Sequence, residues 1–234
     1  MLIFSVRIVL YALAALTAGV VAARFGWWRE HMGRAWTLFA LEFVFLLVNY
    51  ILRREVPNAT VILESTLIAA NLAQIAAYWL MARVLTSAGI GYLIGGAKRL
   101  VFTIAALAVA VILCHVSLLE QWNALRAGTM HPGALISVAA DVITFTLVAP
   151  LAMSTLILRG GQLSWIFGLL TASVFGWMVN TGAPSVVALW GGGPDALRVI
   201  RLIGVVIATL FNAAAAVAQT VATMRVMKGA VSGA

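Results

Sequence analysis

The stretch TVILESTLIAANLAQIAAYWLMARVL, residues 60–85, decides the fold. Glu64 and Arg83 are its only charged residues. A helix needs about 20 apolar residues to cross the roughly 30 Å hydrocarbon core of a bilayer, and this run exceeds that. Its few polar residues are not scattered. Glu64, Asn71 and Tyr78 stand seven apart with Gln74 between them, and at about 3.6 residues per turn they share one helix face. The reading is therefore a membrane helix with a polar seam turned away from lipid.

The rest of the chain repeats the pattern. Hydrophobic residues make up 64% and charged residues 9% of the 234, with a mean hydropathy of +1.08. Soluble domains carry about 25% charged residues, so lipid rather than water must cover this surface. Seven segments are long and apolar enough to span, at about Ile3–Ala23, Trp36–Leu52, Thr60–Leu85, Leu100–Leu119, Leu135–Leu158, Leu163–Asn180 and Ile200–Met224. The fold class expected is all-α: one polytopic transmembrane helix bundle, residues 1–234, without a separate soluble domain. Segment 1 reads as a retained helix rather than a signal peptide, because its basic n-region is poor and its apolar run long. Pro150 should kink segment 5 without ending it. Gly89, Gly91, Gly95 and Gly96 mark a flexible link, His131-Pro132-Gly133 a break, Gly160-Gly161 a tight turn, and Gly191-Gly192-Gly193-Pro194 a loop.

The formal charge of +8 comes from 15 Lys+Arg against 7 Asp+Glu. The basic residues cluster at segment ends, as topology signals and headgroup contacts do, which argues against nucleic-acid binding. Arg24, Arg29, Arg34, Arg83, Lys98, Arg99, Arg159, Arg225 and Lys228 fall on one side; Arg7, Arg53, Arg54, Arg126, Arg198 and Arg201 fall on the other. The excess predicts a cell-membrane protein with its N-terminus outside and its C-terminus cytoplasmic. Trp27, Trp28, Trp36, Trp122 and Trp190 are expected to form an interfacial belt.

Five helices carry polar seams. Besides segment 3, segment 2 has Glu42 and Asn49, and segment 5 has Ser137, Asp141 and Thr144. Segment 6 has Ser173, Trp177 and Asn180, and segment 7 has Thr209, Asn212, Gln219 and Thr223. Ionisable groups at membrane depth cost a few kcal/mol unless they face protein or water. Glu42, Glu64 and Asp141 are the three such acids, with Arg7 or Arg201 as candidate partners. Interhelical bonding accounts for any single amide; aligned seams with three acids also fit a path for a small solute or proton. The candidate path comprises Glu42, Asn49, Glu64, Asn71, Gln74, Tyr78, Asp141, Asn180, Asn212 and Gln219.

Several chemistries lack their residues. Cys114 is the only cysteine, which rules out an intrachain disulfide and Cys-based metal sites. His115 is the lone histidine within a span, so bis-histidine haem ligation has no second ligand. No phosphate loop, nucleophile elbow or nucleophile–base pair appears. No enzyme activity, cofactor or metal is expected, and the lipid bilayer is the expected partner.

Segments 1–3 and 5–7 share a plan that ends in Met81-Ala82-Arg83-Val84 and in Thr223-Met224-Arg225-Val226, with Asn71 and Asn212 at similar depths. A three-plus-one-plus-three arrangement with the N-terminus out resembles the SWEET sugar-permeating proteins, the nicotinamide-riboside carriers and the microbial rhodopsins. That resemblance implies a site between the two triplets. Lys98 and Lys228, the only lysines, lie at segment edges, so the retinal lysine of rhodopsins is missing. Trp27-Trp28-Arg29-Glu30-His31-Met32-Gly33-Arg34 with the helix after it resembles actinobacteriophage holin-like membrane proteins over about residues 23–85, and carries over no catalytic residue. Three functions follow as expectations. The first is a solute or proton-coupled transporter or channel. The second is a holin-like, scaffold or subunit protein, homo-oligomeric or part of a membrane complex, whose seams only pack helices. The third is a sensor whose apolar pocket would use Trp165, Trp177 and Phe211.

Overall fold

A computed structural model describes residues 2–87, 95–129, 131–157 and 161–232. Seven helices account for nearly all of them: α1 (Leu2–Arg24), α2 (His31–Glu55), α3 (Thr60–Ser87), α4 (Gly96–Arg126), α5 (Pro132–Ile157), α6 (Gln162–Trp190) and α7 (Pro194–Ser232). All seven are long and apolar enough to cross a membrane. At 1.5 Å per residue even the 23 residues of α1 reach about 34 Å, more than the hydrocarbon thickness. The fold is an all-α helix bundle with the build of a multi-pass membrane protein. Among the described residues there is no strand. The expected link at Gly89 and Gly91, the turn at Gly160, and Leu158 and Arg159 lie outside the described residues.

The helices run past the apolar segments at several ends. Segment 6 was expected to stop at Asn180, yet α6 continues through Pro184 to Trp190. Proline is tolerated inside membrane helices, and the residue after it ties α6 to α4: the Ser185 hydroxyl accepts a bond from the Val116 N–H at 3.4 Å. α5 likewise runs through Pro150. Gly96, read as part of a link, is the first residue of α4, and Pro132-Gly133 form the first turn of α5 rather than a break before it. Pro194 opens α7, where its missing N–H costs nothing.

Order around the bundle positions the site. The helices pack α1 on α2, α2 on α3, α3 on α5, α5 on α6, α6 on α7 and α7 on α1, a closed ring of six. α4 stays outside the ring, and among the described residues it packs against α5 and α6 alone. It is attached by an apolar cluster of Ala110 and Cys114 with Val138 of α5 and Met178 of α6, and Ser117 Oγ donates to the Thr181 carbonyl at 2.7 Å. The triplets α1–α3 and α5–α7 thus meet along two seams, α3 with α5 and α7 with α1, with α4 as the connecting helix.

Close approach of α6 and α7 depends on glycine. A Cβ on Gly204 would stand 2.6 Å from the Asn180 nitrogen and 2.7 Å from the Gly176 carbonyl oxygen, and one on Gly176 would meet the Ala208 backbone. Small residues let backbones touch in membrane bundles.

The Trp27–Arg34 stretch is a compact turn. Gly26 and Trp27 have φ of 67° and 54°, Arg34 Nε donates to the Trp28 carbonyl at 2.6 Å, and Gly33 lies against the carbonyls of Phe25 and Trp27. Trp27, Trp28, Trp122 and Trp190 are exposed, as a belt requires, but Trp36 is not. It is fully buried on Phe39, with ring centroids 5.4 Å apart. Its position five residues into α2, whose start lies earlier than the apolar segment suggested, puts it in the apolar core of the bundle.

Candidate functional site

All six ring helices contribute to one central cavity of about 230 Å³. α1 supplies Arg7 and Tyr11; α2 supplies Glu42, Asn49 and Arg53; α3 supplies Asn71 and Gln74. From the other triplet come Ser137 and Asp141 of α5, Trp177 and Asn180 of α6, and Val205 of α7. The lining reaches the surface at exposed Arg53, beside the start of α1 and the end of α2. Its deep residues are withdrawn from solvent: Glu42 is 1%, Gln74 3% and Asp141 4% exposed.

Helix periodicity explains the convergence. Glu42 and Asn49 are two turns apart on α2, and Asn71 and Gln74 one turn apart on α3, so each pair faces the same way. Asn49 anchors these two helices, with Nδ2 donating to the Leu63 carbonyl at 2.6 Å and to Thr66 Oγ1 at 2.8 Å. Asn71 Nδ2 instead returns to the Leu67 carbonyl of its own helix at 2.8 Å. Asp141 accepts a hydrogen bond from the Thr181 hydroxyl of α6, and Gln74 of α3 lies beside it. Glu42 has Asp141 as its electrostatic neighbour and the Trp177 indole as a hydrogen-bonding one.

The polar inventory of the cavity is incomplete. Glu42 Oε2, Gln74 Nε2 and Arg7 Nε are buried without a hydrogen-bond partner. Buried polar groups are nearly always satisfied, and each exception calls for an explanation. The Arg7 guanidinium lies over the Tyr50 ring at 5.5 Å. Among the described residues no ion pair joins Arg7 or Arg53 to Glu42 or Asp141; the ion pairs present are Arg54–Glu55 and Arg198–Asp195, and His131 lies against Glu64.

Below the carboxyls the bundle closes. Trp36, Phe39, Tyr78, Met81, Leu151 and Leu170 belong to a continuous apolar core that fills the far half. Phe39 and Tyr78 meet edge to face at 4.8 Å.

The sequence-derived path therefore divides. Glu42, Asn49, Asn71, Gln74, Asp141 and Asn180 line the cavity. Tyr78, Asn212 and Gln219 are buried outside that lining: Tyr78 sits in the closed half with Ser173 and Asn212 beside its hydroxyl, and Gln219 lies two turns further along α7. Glu64 also lies elsewhere. It accepts a hydrogen bond from the Gly133 N–H at the start of α5, and its Oε1 is 3.5 Å from His131 Nδ1. Arg201 is absent from the lining, whereas Arg7, the other candidate partner, is in it. Of the supposed apolar pocket, Trp165 and Phe211 share a separate shallow groove while Trp177 faces the central cavity. Tyr11, Tyr50 and Arg53 were not singled out by the sequence as site residues; aromatic and basic residues near a span end carry the same signal as an interfacial belt. His115 turns its Nδ1 to the Ile112 carbonyl of its own helix, 2.7 Å away. Among the described residues no three His, Cys, Asp or Glu side chains cluster as metal ligands would.

Comparison with protein-family models, with curated proteins and with solved structures finds no match to this chain.

Proposed function

We propose that this protein is a transporter for a small polar solute, with the central cavity as its binding site and Glu42 and Asp141 as the groups that hold the solute or an accompanying proton. The observation that carries the reading is the set of unpartnered polar atoms on Arg7, Glu42 and Gln74 around one void. Unpartnered buried atoms also occur away from the void, on Trp36, Thr144 and Asn212, but the three on Arg7, Glu42 and Gln74 converge on it. A ligand or water gives them partners. The void lies between two triplets of helices, open toward one end and filled by apolar side chains toward the other. A rocking of one triplet against the other exchanges which end is open, as in transporters built on repeats. The resemblance to the SWEET and nicotinamide-riboside carrier plan supports the same reading, and so does the ring order, in which α3 on α5 corresponds to α7 on α1 under a two-fold exchange of the triplets. The roles are binding and passage rather than catalysis. The Lys/Arg bias adds an orientation, with the cavity mouth outside and the C-terminus in the cytoplasm.

The test is solute-driven flux in proteoliposomes loaded with the pH dye pyranine, challenged with a panel of small amines, acids, zwitterions and polyols. At least one compound is expected to change internal pH or be taken up faster than in protein-free vesicles. Glu42→Gln and Asp141→Asn should cut that rate at least tenfold while the protein still elutes as a folded species. Wild-type vesicles that behave as empty ones would leave the holin-like, scaffold or subunit reading in its place.

A further inference from the structure

The charges around the cavity select among solutes. This step rests on the reading of the cavity as a solute site and goes on to its specificity. Arg7 and Arg53 are the basic residues of the lining, and Arg53 stands at the surface; Glu42 and Asp141 are its acids, both buried at the closed end. The two signs share one void without an ion pair between them among the described residues. Glu42 Oε2 and Gln74 Nε2 are buried and unpartnered, and so is Arg7 Nε. A bare acid suits the arginines but leaves two carboxyl groups facing it. A bare amine suits the carboxyls and leaves the Arg7 donor unmatched. A polyol bonds to Asn71, Gln74 and Asn180 and leaves both charge sets without counterparts. Two facing buried carboxyls take up protons unless a cation pairs them; an ammonium group is such a cation and the Arg7 guanidinium calls for an anion, so a solute with both signs matches each.

We infer that the cavity recognises a small zwitterion, with its ammonium directed inward to Glu42 and Asp141 and its anionic group outward to Arg7 and Arg53. Charge-assisted hydrogen bonds are about twice as strong as neutral ones; Arg7 Nε supplies a donor for the anionic group and Glu42 Oε2 an acceptor for the ammonium. The Trp177 indole beside Glu42 forms an apolar wall next to the ammonium position. The size of the void, about 230 Å³, suits a compound with a short carbon chain between its charges.

The experiment is equilibrium binding by calorimetry on the full wild-type chain in lipid nanodiscs. The probes are glycine, β-alanine and 4-aminobutyrate, which vary charge separation, against n-butylamine, butyrate and 1-butanol. At least one of the three zwitterions should bind tenfold or more tightly than each single-charge or neutral compound. Arg7→Gln should weaken that zwitterion tenfold and leave butylamine unchanged, and Arg7→Lys should recover part of the loss. Butylamine or butyrate binding as tightly as every zwitterion overturns the inference, as does the absence of binding by all three. The wild-type panel decides this even where a variant does not fold. Zwitterion binding without any flux removes the transport reading and keeps this one. Flux of a compound with no zwitterion preference does the reverse.

Discussion

The Tyr78 hydroxyl of α3 donates to the Leu170 carbonyl of α6 at 3.4 Å, a bond that crosses from one helix triplet to the other beneath the cavity. With Phe39 against its ring at 4.8 Å, Tyr78 is a central piece of the cavity floor. The bond is long, so its net worth is at the low end of the usual 0.5–1.5 kcal/mol. The ring is the larger contribution. Tyr78→Phe should therefore unfold within about 1 kcal/mol of wild type and retain a sealed floor. Tyr78→Ala should lose about 3–5 kcal/mol and leak protons through pyranine-loaded vesicles under an imposed gradient. A tight Tyr78→Ala vesicle would show that the barrier is elsewhere.

Gly176 and Gly204 hold the backbones of α6 and α7 together, since a Cβ on either would overlap the opposite helix. Backbone cannot yield as a flexible side chain does. Gly176→Leu and Gly204→Leu should each reduce folded yield severely and lower the thermal midpoint in detergent. Gly95→Ala, at a position with open space around it, should change neither. Equal effects from all three would mean that close packing of α6 on α7 is not the cause.

How much of this was legible beforehand depends on what each residue signals by itself. Runs such as residues 60–85 declare a span because length and apolarity are local properties. The facing of Glu42, Asn71 and Asp141 was readable too, since scarce polar residues in lipid must turn inward. Depth along the helix was not. Glu64 and Asn71 share a face of α3, but two turns separate them, and the first reaches the α5 start while the second reaches the cavity. Trp36 reads as a belt residue until the earlier start of α2 places it in the core. Arg7 was ambiguous because a basic residue near a span end either snorkels or lines a mouth, and only the ring of six helices decides between them.

Asn49 bonds α2 to α3 through the Leu63 carbonyl and Thr66 Oγ1 while also lining the cavity. Interhelical bonds of this kind average about 0.6 kcal/mol and reach about 1.7. Asn49→Ala should lower stability by about 1–2 kcal/mol, measured by unfolding in mixed micelles. Thr66→Val, which removes only the hydroxyl partner, should cost less than Asn49→Ala. The reverse order would mean that the Leu63 carbonyl contact contributes little.

Glu64 separates an argument from sequence from one based on position. By its spacing it belongs with Asn71 and Gln74. By its contacts it serves the start of α5, accepting from Gly133 N–H and lying 3.5 Å from His131 Nδ1. A carboxylate at a helix N-terminus satisfies an orphan N–H and faces the positive end of the helix dipole, together worth about 0.5–2 kcal/mol. Glu64→Gln keeps an acceptor and loses the charge; Glu64→Leu loses both. The expected order of stability is wild type, then Glu64→Gln, then Glu64→Leu, spread over about 2 kcal/mol. Flux per folded molecule should stay within about twofold of wild type in both, because a group outside the lining binds no solute. In the same vesicles Glu42→Gln should lower flux at least tenfold with little loss of stability, since Gln keeps an oxygen for the Trp177 indole and Oε2 has no partner to lose. Flux collapsing in a well-folded Glu64→Gln protein, with Glu42→Gln still active, would move the working carboxyl from the centre of the ring to the α3–α5 seam.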